Sequence, residues 1–266
     1  MPEPSGLQTE RREHIGVLTF DRPERRNALS PELLIALHET LEEWADHGEI
    51  RTVVITGAGE KAFSSGYDIR AIPTDVSPET ARQLRDHNPL ALGLASVKNF
   101  PYPTIAMVNG HCFGAALNLA LCCDLRIGAD DIAVGMPPAR LGVVYPYDGI
   151  AQFEQVLGMA RAREVFFTAR TYRGADVKTM GLVDRLVPRS ELEATTWSLA
   201  EEIAANAPIA LKGLKRILNL VETAAEPSEA TRREADALFA DALRSEDAKE
   251  AQQAFVEKRR PRFTGR

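Results

Sequence analysis

The chain has few cysteines, fewer basic than acidic residues and no long apolar run. Its three cysteines, Cys112, Cys122 and Cys123, are an odd set with two adjacent, which argues against a disulfide framework. No His lies at zinc-site spacing from them, so we expect buried, reduced thiols and no metal. A net charge of −6 gives no basic footprint for nucleic acid or an anionic membrane surface. The apolar stretches are far too short to span a membrane, and Met1 to Arg12 is polar without a signal-like segment, so we expect a cytoplasmic location. Sustained heptads, repeats and low-complexity tracts are also missing.

What is there is an ordinary globular composition, 44% hydrophobic and 26% charged over 266 residues, long enough to bury a substantial core. The first half alternates strand-like and helix-like segments, which predicts an α/β sheet with crossovers. His14 to Phe20 reads as a strand, and Ser30-Pro31-Glu32 supplies an N-cap and N1 pair for a helix to about His47. Strands are expected at Thr52 to Thr56, Thr104 to Val108, Asp124 to Ile127 and Ile132 to Val134, and a helix from about Glu79 to Val97. Beyond about Glu191 the pattern is helical, with breaks at Asn206-Ala207-Pro208 and Glu226-Pro227-Ser228. The natural division is a core over 1–190 and a helical C-terminal part over 191–266.

Two segments carry chemistry. Ala62-Phe63-Ser64-Ser65-Gly66-Tyr67-Asp68 and Asn109-Gly110-His111-Cys112-Phe113-Gly114-Ala115-Ala116-Leu117-Asn118 each follow an apolar β-rich run and place small residues on a strand-to-helix turn. Free backbone N–H groups there can converge on one oxygen, the recipe for an oxyanion hole. His111 beside Asn109-Gly110 invites a catalytic role, but a hydrogen-bonded structural histidine is the commoner outcome. Charge runs such as Arg232-Arg233-Glu234 are more often solvated helix faces than sites.

Together with Asp21-Arg22-Pro23, Asn27-Ala28-Leu29-Ser30, Leu141-Gly142 and Gly181-Leu182-Val183, these segments resemble the crotonase, or enoyl-CoA hydratase/isomerase, family nearly end to end. The resemblance implies a crotonase-like spiral of ββα units with a C-terminal helical trimerisation region, assembled as a homotrimer or a hexamer. It assigns the oxyanion donors to the backbone N–H groups of Tyr67 and Ala115. It also implies a CoA site at Arg25, Arg26, Ala62, Ser64, Ser65, Asp68, Ile69 and Arg70, with Lys258 and Phe263 from the tail. The CoA thioester is then the substrate, and no separate cofactor is expected.

Family hydratases use two glutamates, four residues after the flanking glycine of the second turn and just before the Leu-Gly pair. Here those positions hold Asn118 and Pro138, neither able to act as general acid or base. The stretch Met136 to Tyr145 instead resembles the methylmalonyl-CoA decarboxylase branch, where a tyrosine follows the Leu-Gly glycine by three residues, the position of Tyr145. That branch implies an acyl-CoA decarboxylase in which Tyr145 orients the substrate carboxylate and Asn118 supports it. Tyr67 stands where that branch has histidine, which bears on the acyl pocket. Two alternatives stand beside it: a hydratase or isomerase with unusual acid–base groups such as Asp148 or Glu154, and a non-catalytic acyl-CoA-binding protein.

Overall fold

The computed structural model describes residues 5–68, 88–206, 208–222 and 246–259, together with 229, 233, 240 and 244. The expected Ile69, Arg70 and Phe263 contacts and the break at Glu226 lie outside the described residues. The helix expected from about Glu79 to Val97 does not run unbroken: it starts afresh at Pro89, where the Asn88 side chain accepts from the Leu90 N–H as its N-cap.

Leu7–Arg12 (β1) and Ile15–Phe20 (β2) form an antiparallel hairpin with Leu7 opposite Phe20. The sequence gives no hint of β1. Five of its six side chains are exposed, so it shows no apolar alternation. Pro31–His47 (α1) follows, with the Ser30 hydroxyl accepting from the Leu33 N–H and Gly48 in the left-handed region ending the helix. Its buried stripe is Leu33, Leu34, Leu37, Leu41 and Trp44, each contributing about 1.5–3 kcal/mol by leaving water.

The chain then alternates between two sheets. Thr52–Gly57 (β3), Thr104–Val108 (β5), Leu125–Ala129 (β7) and Arg185–Val187 (β10) extend the first. Ala62–Ser64 (β4), His111–Phe113 (β6), Ala133–Gly135 (β8) and Thr171–Arg173 (β9) build the second. The first has strand order β1-β2-β3-β5-β7-β10, parallel from β2 onward, and the second β4-β6-β8-β9, antiparallel only at β9. The segments that connect these strands carry the helices Pro89–Asn99 (α2), Ala115–Cys122 (α3), Tyr147–Leu157 (α4), Met159–Thr168 (α5) and Ala175–Thr179 (α6). The result is the expected α/β spiral: successive turns add a strand to each sheet. Phe20 and Phe63 meet edge-on, ring centroids 5.5 Å apart, where the sheets face each other.

One correction concerns the two chemistry-bearing segments. Each contains a three-residue strand, β4 or β6, of the second sheet, so the chain passes from a strand of the first sheet through a turn and this short strand before it reaches the candidate turn. Three residues are too few to show a period of two in sequence.

Leu192–Ala204 (α7) packs across β2, β3, β5 and β7. Pro208–Glu222 (α8) docks through buried Lys215, whose ammonium donates to the Tyr102 carbonyl at 3.0 Å and to Asp124 at 2.7 Å. Glu246–Val256 (α9) lies against the 3-10 turn Pro138–Leu141. All three cysteines are free and buried. Among the described residues no helix is long and apolar enough to cross a membrane.

Candidate oxyanion and acyl-binding site

The two functional turns meet at the end of the second sheet. Leu29 N–H donates to the Gly66 carbonyl at 2.9 Å and Asp68 N–H to the Leu29 carbonyl at 3.0 Å, a parallel bridge around Tyr67. In such a bridge the flanked residue sends its own N–H the other way, so the Tyr67 donor faces away from Leu29. In the second turn Gly114 takes φ 58° and ψ −125°, a conformation open only to glycine, while its N–H is held by the Gly135 carbonyl at 2.9 Å. That kink starts α3 at Ala115, whose N–H, as the first of a helix, has no intrahelical partner. The turns are in contact: a Cβ built on Gly66, itself at φ +98°, would stand 2.6 Å from the Phe113 carbonyl oxygen and 3.4 Å from the Ala115 nitrogen.

Two asparagine amides, Asn27 buried and Asn109 half-buried, tie these turns to the first sheet. Asn27 donates to the carbonyls of Ala58 at 3.0 Å and Ala62 at 2.7 Å and accepts from Arg22 N–H at 3.1 Å. Asn109 donates to Gly57 and Gly59, both at 2.6 Å, and accepts from Gly57 N–H at 3.3 Å. Arg189 backs the second clamp, donating to the Asn109 carbonyl at 2.8 Å while paired with Asp131. Asn27 and Asn109 stand in the sequence motifs without a role. Their signal is an amide able to bond backbone beside a glycine turn.

One helical turn beyond Ala115, Asn118 is fully buried, and its amide oxygen accepts a hydrogen bond from the Tyr145 hydroxyl at 2.9 Å. Gly149 gives the pair its room: a Cβ there would overlap the Tyr145 ring and stand 2.9 Å from Asn118 Oδ1. Phe166 packs behind Tyr145 at 5.8 Å and against Phe153 at 4.9 Å between ring centroids. Burial, and then the neighbouring Cys122 thiol, push the Tyr145 phenol well above its ordinary range, so it is protonated near neutrality. Pro138 is buried in the 3-10 turn that α9 covers. Neither expected glutamate position therefore offers a carboxylate. The roles of Gly149 and Phe166 are invisible in the sequence because they depend on contacts across the spiral.

The other expected residues divide. Arg25 and Arg26 are exposed and bonded to the first turn through backbone: Ser65 N–H donates to the Arg26 carbonyl at 2.9 Å and its hydroxyl to the Arg25 carbonyl at 3.3 Å. Ala62 and Ser64 are buried, with the Ala62 carbonyl held by Asn27 and the Ser64 hydroxyl accepting from Gly66 N–H at 3.1 Å. Asp68 lies 3.8 Å from the Arg22 guanidinium. Lys258 is exposed just beyond α9. Burial, then the carboxylates of Glu32 and Asp68, push the Tyr67 phenol up. His111 is exposed on β6, Asp148 is exposed in the first turn of α4, and Glu154 lies two turns further along it. Among the described residues no three His, Cys, Asp or Glu side chains gather to hold a metal ion.

Known proteins share this plan over almost their whole length. The enoyl-CoA hydratase/isomerase family model matches residues 10–266. A putative enoyl-CoA hydratase/isomerase, YngF of Bacillus subtilis, is 32% identical over 97% of this chain and 98% of its own. The carnitinyl-CoA dehydratase of Salmonella typhi is 34% identical over 94% of each chain. The solved structure of a methylmalonyl-CoA decarboxylase in complex with 2-nitronate-propionyl-CoA superposes with a TM-score of 0.89 at 28% identity, covering 98% of each chain. The chain belongs to the enoyl-CoA hydratase/isomerase family, the acyl-CoA-processing enzymes of the crotonase fold.

Proposed function

We propose that this chain decarboxylates methylmalonyl-CoA, or a similar 2-substituted malonyl thioester, to the shorter acyl-CoA and CO₂. The observation that carries this is the pairing of Tyr145 with a neutral amide at Asn118, with buried Pro138 at the other glutamate position. Hydration needs acid–base groups to place a water and move its proton. Decarboxylation needs none: the bond between C2 and the carboxylate breaks and its electron pair enters the thioester π system. The negative charge that forms on the thioester oxygen is received by the N–H groups of Tyr67 and Ala115. CO₂ leaves, and C2 then takes a proton from water. Tyr145 donates to the substrate carboxylate and holds the breaking bond perpendicular to the thioester plane. Neutral Asn118 adds no repulsion to that carboxylate, and no metal or organic cofactor enters the scheme.

We assign the CoA phosphates to Arg25 and Arg26, exposed beside Ser65. The expected homotrimer or hexamer is supported by Leu214, Ile217 and Leu218 of α8, 59%, 59% and 66% exposed. Sedimentation at several concentrations tests it, and a monomer throughout would remove it.

The second reading is a hydratase or isomerase, favoured by the names of the relatives at 32% and 34% identity. The test is product analysis by mass with methylmalonyl-CoA and, in parallel, crotonyl-CoA. Propionyl-CoA above the spontaneous rate, lost in Tyr145→Phe, supports decarboxylation. Turnover of crotonyl-CoA alone selects the second reading, and silence on both points to a binding role or another acyl group.

A further inference from the structure

Asn118 and Tyr145 form a hydrogen bond whose direction matters more than its existence. In the structure the Tyr145 hydroxyl spends its single proton on the Asn118 carbonyl, 2.9 Å away. A phenol so engaged presents only lone pairs to anything else nearby, and lone pairs repel a carboxylate. The other end of the amide is poorly matched. Its NH₂ group is aimed at the Cys122 sulfur at 3.9 Å, a weak acceptor, although the residue is fully buried. A strong acceptor is thus satisfied while a strong donor is paired with a weak partner.

Half a turn about the amide's Cβ–Cγ bond reverses this. The NH₂ group then donates to the Tyr145 oxygen, and the carbonyl faces the Cys122 thiol, a weak donor as well as a weak acceptor. The Tyr145 proton is released for a third group. Rotation of the hydroxyl alone is worse, because it would set the phenol oxygen against the Asn118 oxygen and leave a buried acceptor unpaired. Glycine at 149 leaves the amide and the ring free of the Cβ that would otherwise press on both. Asn118 also lies three residues after Ala115 on α3, so its side chain is on the face that carries the oxyanion donor.

We propose that Asn118 is a positioning residue: by turning its NH₂ toward Tyr145 when an anionic acyl group enters, it directs the Tyr145 hydroxyl proton at the substrate carboxylate. The amide is a two-state element, and a carboxylate-bearing thioester selects the rotated state because only there does it gain a donor. A thioester without that carboxylate has no reason to select it. Asn118 thereby makes the site discriminate malonyl-type from simple acyl thioesters without touching the reacting bond. The proposal rests on the decarboxylase reading above.

The test is a double-mutant cycle on decarboxylation of methylmalonyl-CoA, with propionyl-CoA affinity measured in parallel. Asn118→Leu removes the amide while keeping the same branched skeleton of side-chain heavy atoms, and Asn118→Asp keeps the shape but offers only acceptors. The expected order of kcat is wild type, then Asn118→Leu lower by about tenfold, then Asn118→Asp lower by about a hundredfold or more. Propionyl-CoA affinity should stay within about twofold, which also reports a folded site. In a Tyr145→Phe background Asn118→Leu should cost nothing further, because Asn118 acts through the hydroxyl that is gone. Additive losses, an Asn118→Asp variant better than Asn118→Leu, or losses confined to KM would overturn the proposal. Failure of wild type to release CO₂ at all removes the decarboxylase reading and the proposal with it. An active wild type with a flat variant series removes the proposal alone.

Discussion

Lys215 buries its ammonium against Asp124, whose carboxylate oxygen 2.7 Å away is already bonded to the Thr104 N–H at 2.7 Å and hydroxyl at 3.0 Å. The pair is lopsided. The Lys215 side chain is 5% exposed and that of Asp124 31%, and Asp124 keeps Thr104 if the lysine is lost. Removing the carboxylate strands a buried cation with the Tyr102 carbonyl. We therefore expect Asp124→Ala to cost about 3 kcal/mol and Lys215→Met about 1 kcal/mol. Urea unfolding of the two variants checks the order; equal losses would mean that the pair is screened by solvent.

The long elements of this fold were legible because each carries its own local signal. Ser30 and Pro31 at the start of α1, and the buried stripe ending at Trp44, reproduce the expected helix at both ends. The β-rich runs at Thr52 and Thr104 became adjacent parallel strands. What stayed hidden was short or long-range. β1 buries one side chain, β4 and β6 are three residues each, and the contact of Gly149 with Tyr145 exists only once the spiral closes. Within the candidate site, the turns of Tyr67 and Ala115 were readable as glycine-bearing turns, whereas the Asn118 to Tyr145 bond spans 27 residues.

Asn109, at the start of the Ala115 segment, clamps the β3–β4 turn, since it holds the backbone of Gly57 and Gly59 and is itself held by Arg189. Asn109→Ala leaves two carbonyls and one N–H of the β3–β4 turn without this partner. The expected loss is about 2–4 kcal/mol of stability, solvent softening the penalty at the exposed end. If Tyr67 and Ala115 are the oxyanion donors and Arg25 and Arg26 the CoA residues, as proposed, turnover should fall more than substrate affinity, because the variant disturbs the position of the former and not the latter. A variant with full stability and full turnover would show the clamp to be redundant.

Burial pushes the thiols of Cys112 and Cys123, like the Tyr145 phenol, above their ordinary values. In the unfolded chain thiols ionise near about pH 8.5 and tyrosine near about 10. Above those values the unfolded chain has released protons that the folded chain still holds, so stability falls as pH rises. These groups contribute no slope below about pH 8 and a growing loss above about pH 8.5. Urea midpoints across that range measure it, and Cys123→Ala should flatten the decline. An unchanged decline in that variant would assign it to other groups.

Gly66→Ala tests the oxyanion geometry itself. The new methyl would meet the Phe113 carbonyl at 2.6 Å, and φ +98° is unfavourable for any residue with a Cβ, so the turn must move. Backbone strain of about 1–3 kcal/mol is expected, lowering the unfolding midpoint without abolishing the fold. The larger effect should be on rate. Gly66 immediately precedes the Tyr67 N–H and abuts the Ala115 N–H, so a shift of one turn against the other misaligns both donors. Losing one such donor costs about a hundredfold to a thousandfold in turnover, and we expect Gly66→Ala to fall in that range with whichever thioester the enzyme uses. Ala116→Gly, one residue past the second donor and buried inside α3, is the control: it loosens the helix by about 1 kcal/mol but leaves the contact between the turns intact. If both variants lose turnover equally, the rate follows general stability. If Gly66→Ala alone loses it, the two N–H groups hold the charge that develops on the thioester oxygen.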